Sequence, residues 1–370
     1  MVADDQHLTE VVEGKVPYLV PERYNRRGPG SRCREPFYNR QMEFNRDICI
    51  SFLRAVARDG DSILDAMAAT GIRAARIATE VNNSLSITAN DTSEAAVGLM
   101  QKNFSRLGLD GIRITGRNAK SIMSDERFDF IDIDPFGTPV EFLSSAILSV
   151  RSAKYMAVTA TDSAMLCGSA HGCTRRYLCR ARRWPFMHEI GLRNLTGYIA
   201  RTAASYDRAA IPLLTHFTDH YFRIYFRMEK GSRKAEHQLD NIGYAHYLPA
   251  TGERWIDNEP GENYAGPMWI GPLHDAQTLE KMTTESWFGT GARVSSMLDI
   301  WRGEALAPAL YYTMDEVASR MKANMPEREK LLMVLGERFS TWRTHFDPKG
   351  FKTGAGFEEI CETIRSIQKG

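Results

Sequence analysis

The sequence predicts an α/β protein of the doubly wound class. Five short apolar runs are separated by segments with helical periodicity. Strands that are continuously apolar are buried on both faces, as they are when helices cover both sides of a parallel sheet. Hydrophobic residues make up 43% of the 370-residue chain, enough for one large or two medium domains. We therefore expect a mostly parallel sheet followed by a smaller α+β region.

The elements follow in order. The stretch 20–41 is rich in Pro, Gly and Arg, so no amphipathic element is expected there. A helix is predicted at 44–58, where Ile48, Phe52, Leu53 and Val56 share one face. The predicted strands are 62–67, 85–89, 112–115, 128–133 and 154–160. The predicted helices are 72–81, 93–107, 139–150 and 188–204.

Two β-rich runs after the long helix are joined by a polar turn at Thr218 and Asp219, which predicts an antiparallel hairpin at the end of the sheet. The sequence GSRK at 231–234 interrupts the pattern. We place a boundary there, between a catalytic domain at 1–232 and a C-terminal domain at 233–370. Helices are expected in the latter at about 314–324 and 327–339.

Charge and composition restrict the partners and the compartment. Forty-seven basic residues against 46 acidic ones give a net charge of +1, so any basic surface must be local. The absence of a long apolar run predicts no membrane span, and the acidic N-terminus predicts a cytoplasmic protein. Six scattered cysteines indicate reduced thiols.

Two strand ends predict a nucleoside-containing cofactor. Asp65 is followed by a turn at Gly71, where a backbone without a side chain would approach a ligand at a helix N-terminus. Asn90 and Asp91 follow the next strand, and a carboxylate there binds the two hydroxyls of a ribose. Because the glycine pattern suits no pyrophosphate, the combination favours S-adenosylmethionine.

The sequence DIDPFG at 132–137 follows a buried strand and predicts the chemistry. An Asp-Pro-aromatic tripeptide at a strand end is typical of methyltransferases that act on exocyclic amines of nucleobases. Such an amine is a poor nucleophile because its lone pair is delocalised into the ring. The Asp134 carboxylate would accept its N–H hydrogen bonds while Phe136 stacks on the base. A plain turn after the strand is the alternative.

Local basic clusters are candidate nucleic-acid contacts. Six arginines lie at 23–40, and five more lie at 175–183 ahead of Trp184. Clusters mixed with aromatic residues suit phosphates and stacked bases, although a solvated face explains a charge run as well. A third basic segment consists of Arg343, Thr344, His345, Lys349 and Lys352, which we expect to follow an RNA backbone.

No metal site is expected. The spacing of Cys167, Cys173 and Cys179 does not fit a zinc knuckle, so these residues are interpreted as buried thiols. His188 and Glu189 begin a helix, where they could bind a metal or act as a base. A carboxylate interacting with the helix N-terminus explains them equally well.

Nine sequence blocks together resemble one family, the tRNA guanine-N2 dimethyltransferases that modify guanine 26. The blocks span most of the chain and are FYNRQMEFNRD at 37–47, DAMAATGIRAAR at 65–76, NDTSEAAV at 90–97, DPFGTP at 134–139, TATDSAMLCG at 159–168, HEIGLR at 188–193, HYFRIYF at 220–226, GPMWIGPLHD at 266–275 and THFDPKGFKT at 344–353.

The resemblance implies a class I, Rossmann-like methyltransferase domain and a C-terminal tRNA-binding domain. It implies transfer of one or two methyl groups from S-adenosylmethionine to N2 of guanine 26, by an enzyme that we expect to be monomeric. Asp134 would be the catalytic carboxylate, and Phe37 and Phe136 would sandwich the guanine. The implied cofactor-binding residues are Arg46, Arg73, Asp91, Asn118 and Ala119.

The chain departs from the family pattern twice. Asn118 stands where the family usually has Asp, and its amide oxygen can still accept a bond from adenine. The stretch GYAHYLPATGERW at 243–255 lacks the zinc cysteines of many members, so packing around Trp255 and Trp269 is expected to hold it. Two alternatives remain: an amine methyltransferase acting on rRNA or DNA, and a non-catalytic RNA-binding protein.

Overall fold

The structure is a computed structural model that describes residues 8–22, 36–81 and 84–369. Arg23, Arg26, Arg27, Arg32 and Arg34 of the first basic cluster, and Cys33, lie outside these ranges, so the predicted RNA contact there falls mostly outside them. In chain order the strands are β1 (Leu8–Glu13), β2 (Val16–Pro21), β3 (Ser62–Asp65), β4 (Ser86–Asn90), β5 (Arg113–Thr115), β6 (Phe128–Ile133), β7 (Val150–Ala160), β8 (Arg208–Thr218), β9 (Tyr221–Lys230), β10 (Ile242–Tyr247), β11 (Arg254–Asp257), β12 (Tyr264–Trp269), β13 (Tyr312–Thr313), β14 (Thr341–Arg343) and β15 (Gly350–Thr353).

Within the described residues, a 3₁₀ turn spans Arg40–Met42. The α-helices are α1 (Glu43–Val56), α2 (Ile72–Glu80), α3 (Glu94–Arg106), α4 (Ala119–Asp125), α5 (Val140–Ser149), α6 (Ser163–Leu166), α7 (Cys173–Tyr177), α8 (Met187–Ala204), α9 (Ser232–Leu239), α10 (Ala276–Lys281), α11 (Gly291–Glu304), α12 (Met314–Met321), α13 (Arg328–Leu335) and α14 (Phe357–Lys369). Among these described helices, none combines the length and apolar character that crossing a bilayer requires.

The main sheet has seven strands in the order β5-β4-β3-β6-β7-β9-β8. The first five are parallel, and β9 runs antiparallel between β7 and β8. Successive residues point into opposite cores, Ile63 into one and Leu64 into the other, and likewise Phe130 and Ile131. Because both faces are buried, the predicted doubly wound sheet with a terminal hairpin is confirmed.

An N-terminal hairpin of β1 and β2 was not expected from the sequence. Val16, Tyr18 and Val20 alternate inward and are buried, and the Tyr18 hydroxyl donates to the Thr70 carbonyl at 2.6 Å. Pro17 and Pro21 both lie in β2. A two-stranded ribbon tolerates proline because its outer edge has no ladder to complete.

The C-terminal part contains two three-stranded sheets, β11-β10-β12 and β13-β15-β14. The stretch that lacks zinc cysteines forms the β10–β11 hairpin. Trp269 is buried in the core of the main sheet, whereas Trp255 is 42% exposed and stacks on His246. Residues of 245–301 complete both cores of the main sheet, and a separate apolar cluster begins only at Tyr312.

Candidate active site

A cleft of about 600 Å³ opens at the carboxyl ends of β3, β4 and β6. Strand β3 lies between β4 and β6, so the order of strands in the sheet reverses direction at β3. Ligands of open α/β sheets bind at such a reversal of strand order. The volume suits a nucleoside-sized ligand. All the site residues named from the sequence line this cleft: Phe37, Arg46, Arg73, Asp91, Asn118, Ala119, Asp134 and Phe136.

Asp91 lies just beyond β4, with its carboxylate fixed by two backbone N–H groups. One oxygen accepts from Ala69 and the other from Ser93, each at 2.9 Å. The N-cap of α3 is Ser93, whose hydroxyl accepts from Ala96, so Asp91 is not the cap of that helix. Each carboxylate oxygen retains a lone pair, which is what a vicinal diol requires.

Asn118 and Ala119 begin α4 at the edge of the cleft. The Asn118 side-chain oxygen accepts from the Lys120 N–H at 2.9 Å and caps the helix. The N–H groups of a first helical turn have no intrahelical partner, so the Ala119 N–H can donate to a ring nitrogen. A second lone pair on the Asn118 oxygen can accept from an exocyclic amine.

Asp134 follows β6, and its Oδ2 accepts from a guanidinium nitrogen of Arg73. The Asp134 side chain is 19% exposed. Within the described residues no other hydrogen bond to its carboxylate is found, so Oδ1 remains available for a further donor. Arg73 also donates to Asn45 Oδ1 at 3.0 Å and lies 3.4 Å from Asp132.

Asp132, two residues earlier, is buried beneath the site. Arg223 of β9 binds it through both terminal nitrogens and also donates to Thr159 at 2.8 Å. Burial opposes ionisation of Asp132, but Arg223 and Arg73 outweigh it and lower the pKa of this carboxyl. The antiparallel hairpin thus supplies a cation that stabilises the loop carrying Asp134.

Asp65 is a site residue to which the sequence assigned no role. It ends β3, lines the cleft and is 2% exposed, and its Oδ2 has no hydrogen-bond partner in the described structure. Burial, together with the charges of Asp132, Asp134 and Asp91, raises the pKa of Asp65 to about 7 although Arg73 opposes the shift. The sequence shows the strand-ending position of Asp65, whereas its burial without a hydrogen-bond partner for Oδ2 depends on the tertiary structure.

Arg46 lines the cleft from α1 but is already held by the N-terminal hairpin. Its Nε and Nη2 donate to the Glu13 carboxylate at 2.6 and 2.8 Å, and Nη2 also donates to the Asn39 carbonyl at 3.0 Å. Nη1 makes no hydrogen bond to any described residue, so it is the nitrogen that remains for a cofactor carboxylate.

Gly71 does not have the role expected from the sequence. It adopts a left-handed φ of 82°, but a Cβ placed on it would lie 2.6 Å from Met100 Cγ. The close approach is therefore to helix α3 rather than to a ligand, and Gly71 does not line the cleft.

The predicted RNA contact of the segment 343–352 is wrong for Lys352. This lysine is 3% exposed and lies 3.0 Å from Glu189 of α8. Glu189 also binds Arg193 at 2.8 Å and accepts from the Leu310 N–H at 3.1 Å, so it is not a capping carboxylate either. Lys349 is exposed but lies 3.0 Å from Asp315.

One group of metal-capable side chains occurs in the described ranges, formed by His274, Glu304 and His345. His345 accepts from the Phe217 N–H at 3.2 Å through Nε2, and its Nδ1 contacts Glu304. Burial opposes ionisation of Glu304, but His345, His274 and, to a smaller extent, Lys352 outweigh it and lower the pKa of this carboxyl. We interpret the group as a hydrogen-bonded network. The absence of a metal from the protein stays a prediction.

Cys167, Cys173 and Cys179 are buried free thiols, and Cys173 begins α7. The sulfurs of Cys173 and Cys179 are 3.6 Å apart. Burial, with Cys173 nearby, raises the pKa of Cys167 to about 12, so this thiol stays protonated.

A family model described as N2,N2-dimethylguanosine tRNA methyltransferase matches residues 30–365. A tRNA (guanine(26)-N(2))-dimethyltransferase of Methanocorpusculum labreanum is 38% identical, with 96% of this chain and 97% of the relative covered. One of Metallosphaera sedula is 33% identical, with 97% of each chain covered. A solved complex of Trm1 from Pyrococcus horikoshii with S-adenosyl-L-methionine has a TM-score of 0.86 at 34% identity, covering 96% of this chain and 100% of that one.

Proposed function

Because this chain belongs to the N2,N2-dimethylguanosine tRNA methyltransferase family, we propose that it transfers one or two methyl groups from S-adenosylmethionine to N2 of guanine 26 in tRNA. The observation that carries the proposal is the cleft itself. It unites a carboxylate suited to a ribose (Asp91), a helix start suited to adenine (Asn118 and Ala119) and a strand-ending Asp-Pro-Phe.

The residues of the cleft fit S-adenosylmethionine, which supplies an electrophilic methyl group when bound. Asp91 accepts from both ribose hydroxyls, since two backbone N–H groups hold its carboxylate in place. Ala119 donates to an adenine ring nitrogen, and Asn118 accepts from the adenine amine. Arg46, through Nη1, and Arg73 bind the methionine carboxylate.

Asp134 is the catalytic carboxylate of the proposed mechanism. Arg73 holds its Oδ2, so Oδ1 is directed to an N–H of the guanine amine. Accepting this bond draws the amine toward tetrahedral geometry and exposes its lone pair to the methyl group. The methylated amine is cationic and acidic, so it loses its proton without a strong base. A second transfer needs a second S-adenosylmethionine in place of the S-adenosylhomocysteine formed, and Asp134 then accepts from the one N–H that remains.

Phe37 and Phe136 receive the guanine after it leaves the tRNA stack. Base-modifying enzymes that act on duplex substrates extrude the base, and stacking on aromatic rings compensates for the lost stacking. Phe136 is 41% exposed at the cleft, in a position to meet an incoming base.

The division into a catalytic part at 1–232 and a tRNA-binding part at 233–370 remains a proposal. Since residues of 245–301 complete the cores of the main sheet, truncation would unfold both parts, and point variants are the suitable test. We also propose that the enzyme acts as a monomer, because one chain supplies the residues of the cleft. A cytoplasmic location suits a tRNA-modifying enzyme and is part of the same proposal. Light scattering with and without tRNA tests the oligomeric state.

The relatives match nearly the whole chain and are named as tRNA dimethyltransferases. They therefore do not support activity on rRNA or DNA, nor an RNA-binding role without catalysis. The test is mass spectrometry of nucleosides from a tRNA transcript incubated with protein and S-adenosylmethionine. We expect N2-methyl- and N2,N2-dimethylguanosine. A transcript with adenine at position 26 should give neither, and equal methylation of both transcripts would refute the proposal.

A further inference from the structure

The segment 173–183, here called the arginine segment, carries a local excess of positive charge. It contains Arg175, Arg176, Arg180, Arg182 and Arg183, and no Asp or Glu occurs between Asp162 and Glu189. The whole chain has a net charge of only +1, so an excess of this size is a property of the segment rather than of the composition.

In the described structure, Arg176 is the one member of this set with a charged partner. Arg176 lies 3.7 Å from Asp162, and Arg182 donates to the Tyr264 carbonyl at 3.1 Å. Arg175, Arg180 and Arg183 are exposed, and no carboxylate of the described residues lies within salt-bridge distance of them. The Arg180 guanidinium lies over the Tyr264 ring, 4.5 Å from its centroid, and all three groups remain exposed to an anionic partner.

The arginine segment adjoins the loop that carries Asp134 and Phe136. The hydroxyl of Tyr177, at the end of α7, donates to Asp162 at 2.8 Å and lies 2.9 Å from the hydroxyl of Thr138. Thr138 follows Phe136 by two residues, and Thr161, the neighbour of Asp162, lines the cleft. One buried side chain thus connects the segment to the mouth of the cleft.

A second set of contacts fixes the other end of the segment. Arg180 exchanges two backbone hydrogen bonds with Gly266 of β12, at 2.7 and 2.9 Å. A Cβ on Gly168 would lie 2.9 Å from the backbone of Arg182, so the chain packs there without a gap. The arginines are held on a fixed backbone, which lowers the entropy cost of binding.

We propose that the arginine segment binds phosphates of the tRNA backbone next to the target guanine. This inference rests on the proposed function, because it takes the cleft as the place where the guanine enters. A guanidinium binds phosphate in bidentate fashion, and phosphate contacts fix the register of a protein on a nucleic acid. Arginines at the mouth of the cleft would hold the backbone while the base leaves its stack.

The test compares two triple variants. R175Q/R180Q/R183Q removes the three exposed charges that have no ion pair in the described structure. R127Q/K230Q/R233Q removes three exposed charges at the opposite edge of the sheet, where β6 begins and β9 ends. Affinity for a tRNA transcript is measured by fluorescence anisotropy, with S-adenosylhomocysteine present, between about 50 and 200 mM salt.

We expect the first variant to bind tRNA about tenfold or more weakly, with the salt slope reduced by roughly 2 to 3, near 0.9 for each lost phosphate contact. Its melting temperature and cofactor affinity should match those of the parent. The control should bind tRNA as the parent does. R175K/R180K/R183K, which retains the charges, should recover most of the affinity.

Unchanged affinity and salt slope in the glutamine variant would overturn the proposal, as would an equal loss in the control or the lysine variant. If the arginine segment instead bound an acidic protein, the glutamine variant would bind tRNA as the parent does, and this result would overturn the proposal. If tRNA binding depended on these arginines but the protein did not methylate guanine 26, the proposed function would be refuted. The assignment of the arginine segment as a tRNA-binding surface would still hold.

Discussion

The rings of Phe37 and Phe136 meet edge to face at the cleft, with centroids 4.8 Å apart and an interplanar angle of 74°. A base stacked between two rings needs roughly 7 Å between them, two contact distances of about 3.5 Å each. The two side chains must therefore separate before a guanine enters. Aromatic pairs of this kind stabilise each other only modestly, so separation is accessible.

We expect Phe136→Ala to lower kcat/KM for tRNA. The loss should correspond to about 1 to 3 kcal/mol of transition-state stabilisation, because one base–aromatic stack contributes that much. Phe37→Ala should have a similar effect. Phe136→Tyr, which retains the stacking face, should keep most of the activity. Steady-state kinetics with a tRNA transcript measures this. Full activity of both alanine variants would mean that the guanine binds elsewhere.

Asp91→Ala should weaken S-adenosylmethionine binding by about 1.5 to 3 kcal/mol, because hydrogen bonds to a charged group contribute on that scale. Isothermal titration calorimetry measures the affinity. Asp125→Ala removes an exposed carboxylate of α4 that pairs only with Arg117 in the described structure, and it should leave the affinity unchanged. If both variants bind the cofactor as the parent does, Asp91 is no ribose ligand.

Asp65 should make the protein less stable as the pH rises from about 4 to 7. Its pKa is about 7 in the folded chain against an ordinary value of 3.8, so the folded state keeps a proton that the unfolded state loses. The stabilisation is complete below pH 4 and disappears as the pH passes 7.

Asp65→Asn stays neutral and should remove this decline, gaining roughly 2 to 4 kcal/mol relative to the parent between those pH values. Urea unfolding of both proteins at several pH values measures the difference. A difference that is constant with pH would show that the Asp65 pKa is not raised.

Lys352→Met should lower the free energy of unfolding by about 3 to 5 kcal/mol, since it leaves a buried carboxylate with one cation fewer. Lys349→Met, at an exposed pair with Asp315, should change it by less than about 0.5 kcal/mol. Urea unfolding compares the two. A Lys352 variant of normal stability but with a reduced salt slope for tRNA would place this lysine at a phosphate.

The strands of the main sheet were predictable because burial on both faces requires continuous apolar runs. The position of the cleft was predictable as well, because residues that follow parallel strands, such as Asp91 and Asp134, must meet at one edge of the sheet. Other features depend on contacts between distant residues. Lys352 looks like a solvent-facing cation in the sequence, yet it is paired with Glu189, 163 positions away. Helix α4 has only seven residues, too few to show a helical period.

Substitution of Asp134 tests the central claim most directly. Asp134→Ala should lower the single-turnover rate of methyl transfer to guanine 26 by about 10² to 10³, because it removes the charged acceptor aimed at the reacting amine. Calorimetry should show S-adenosylmethionine affinity close to that of the parent, and circular dichroism an unchanged fold. A variant that methylates guanine 26 at the parental rate would contradict the account, because Asp134 would then have no part in the reaction.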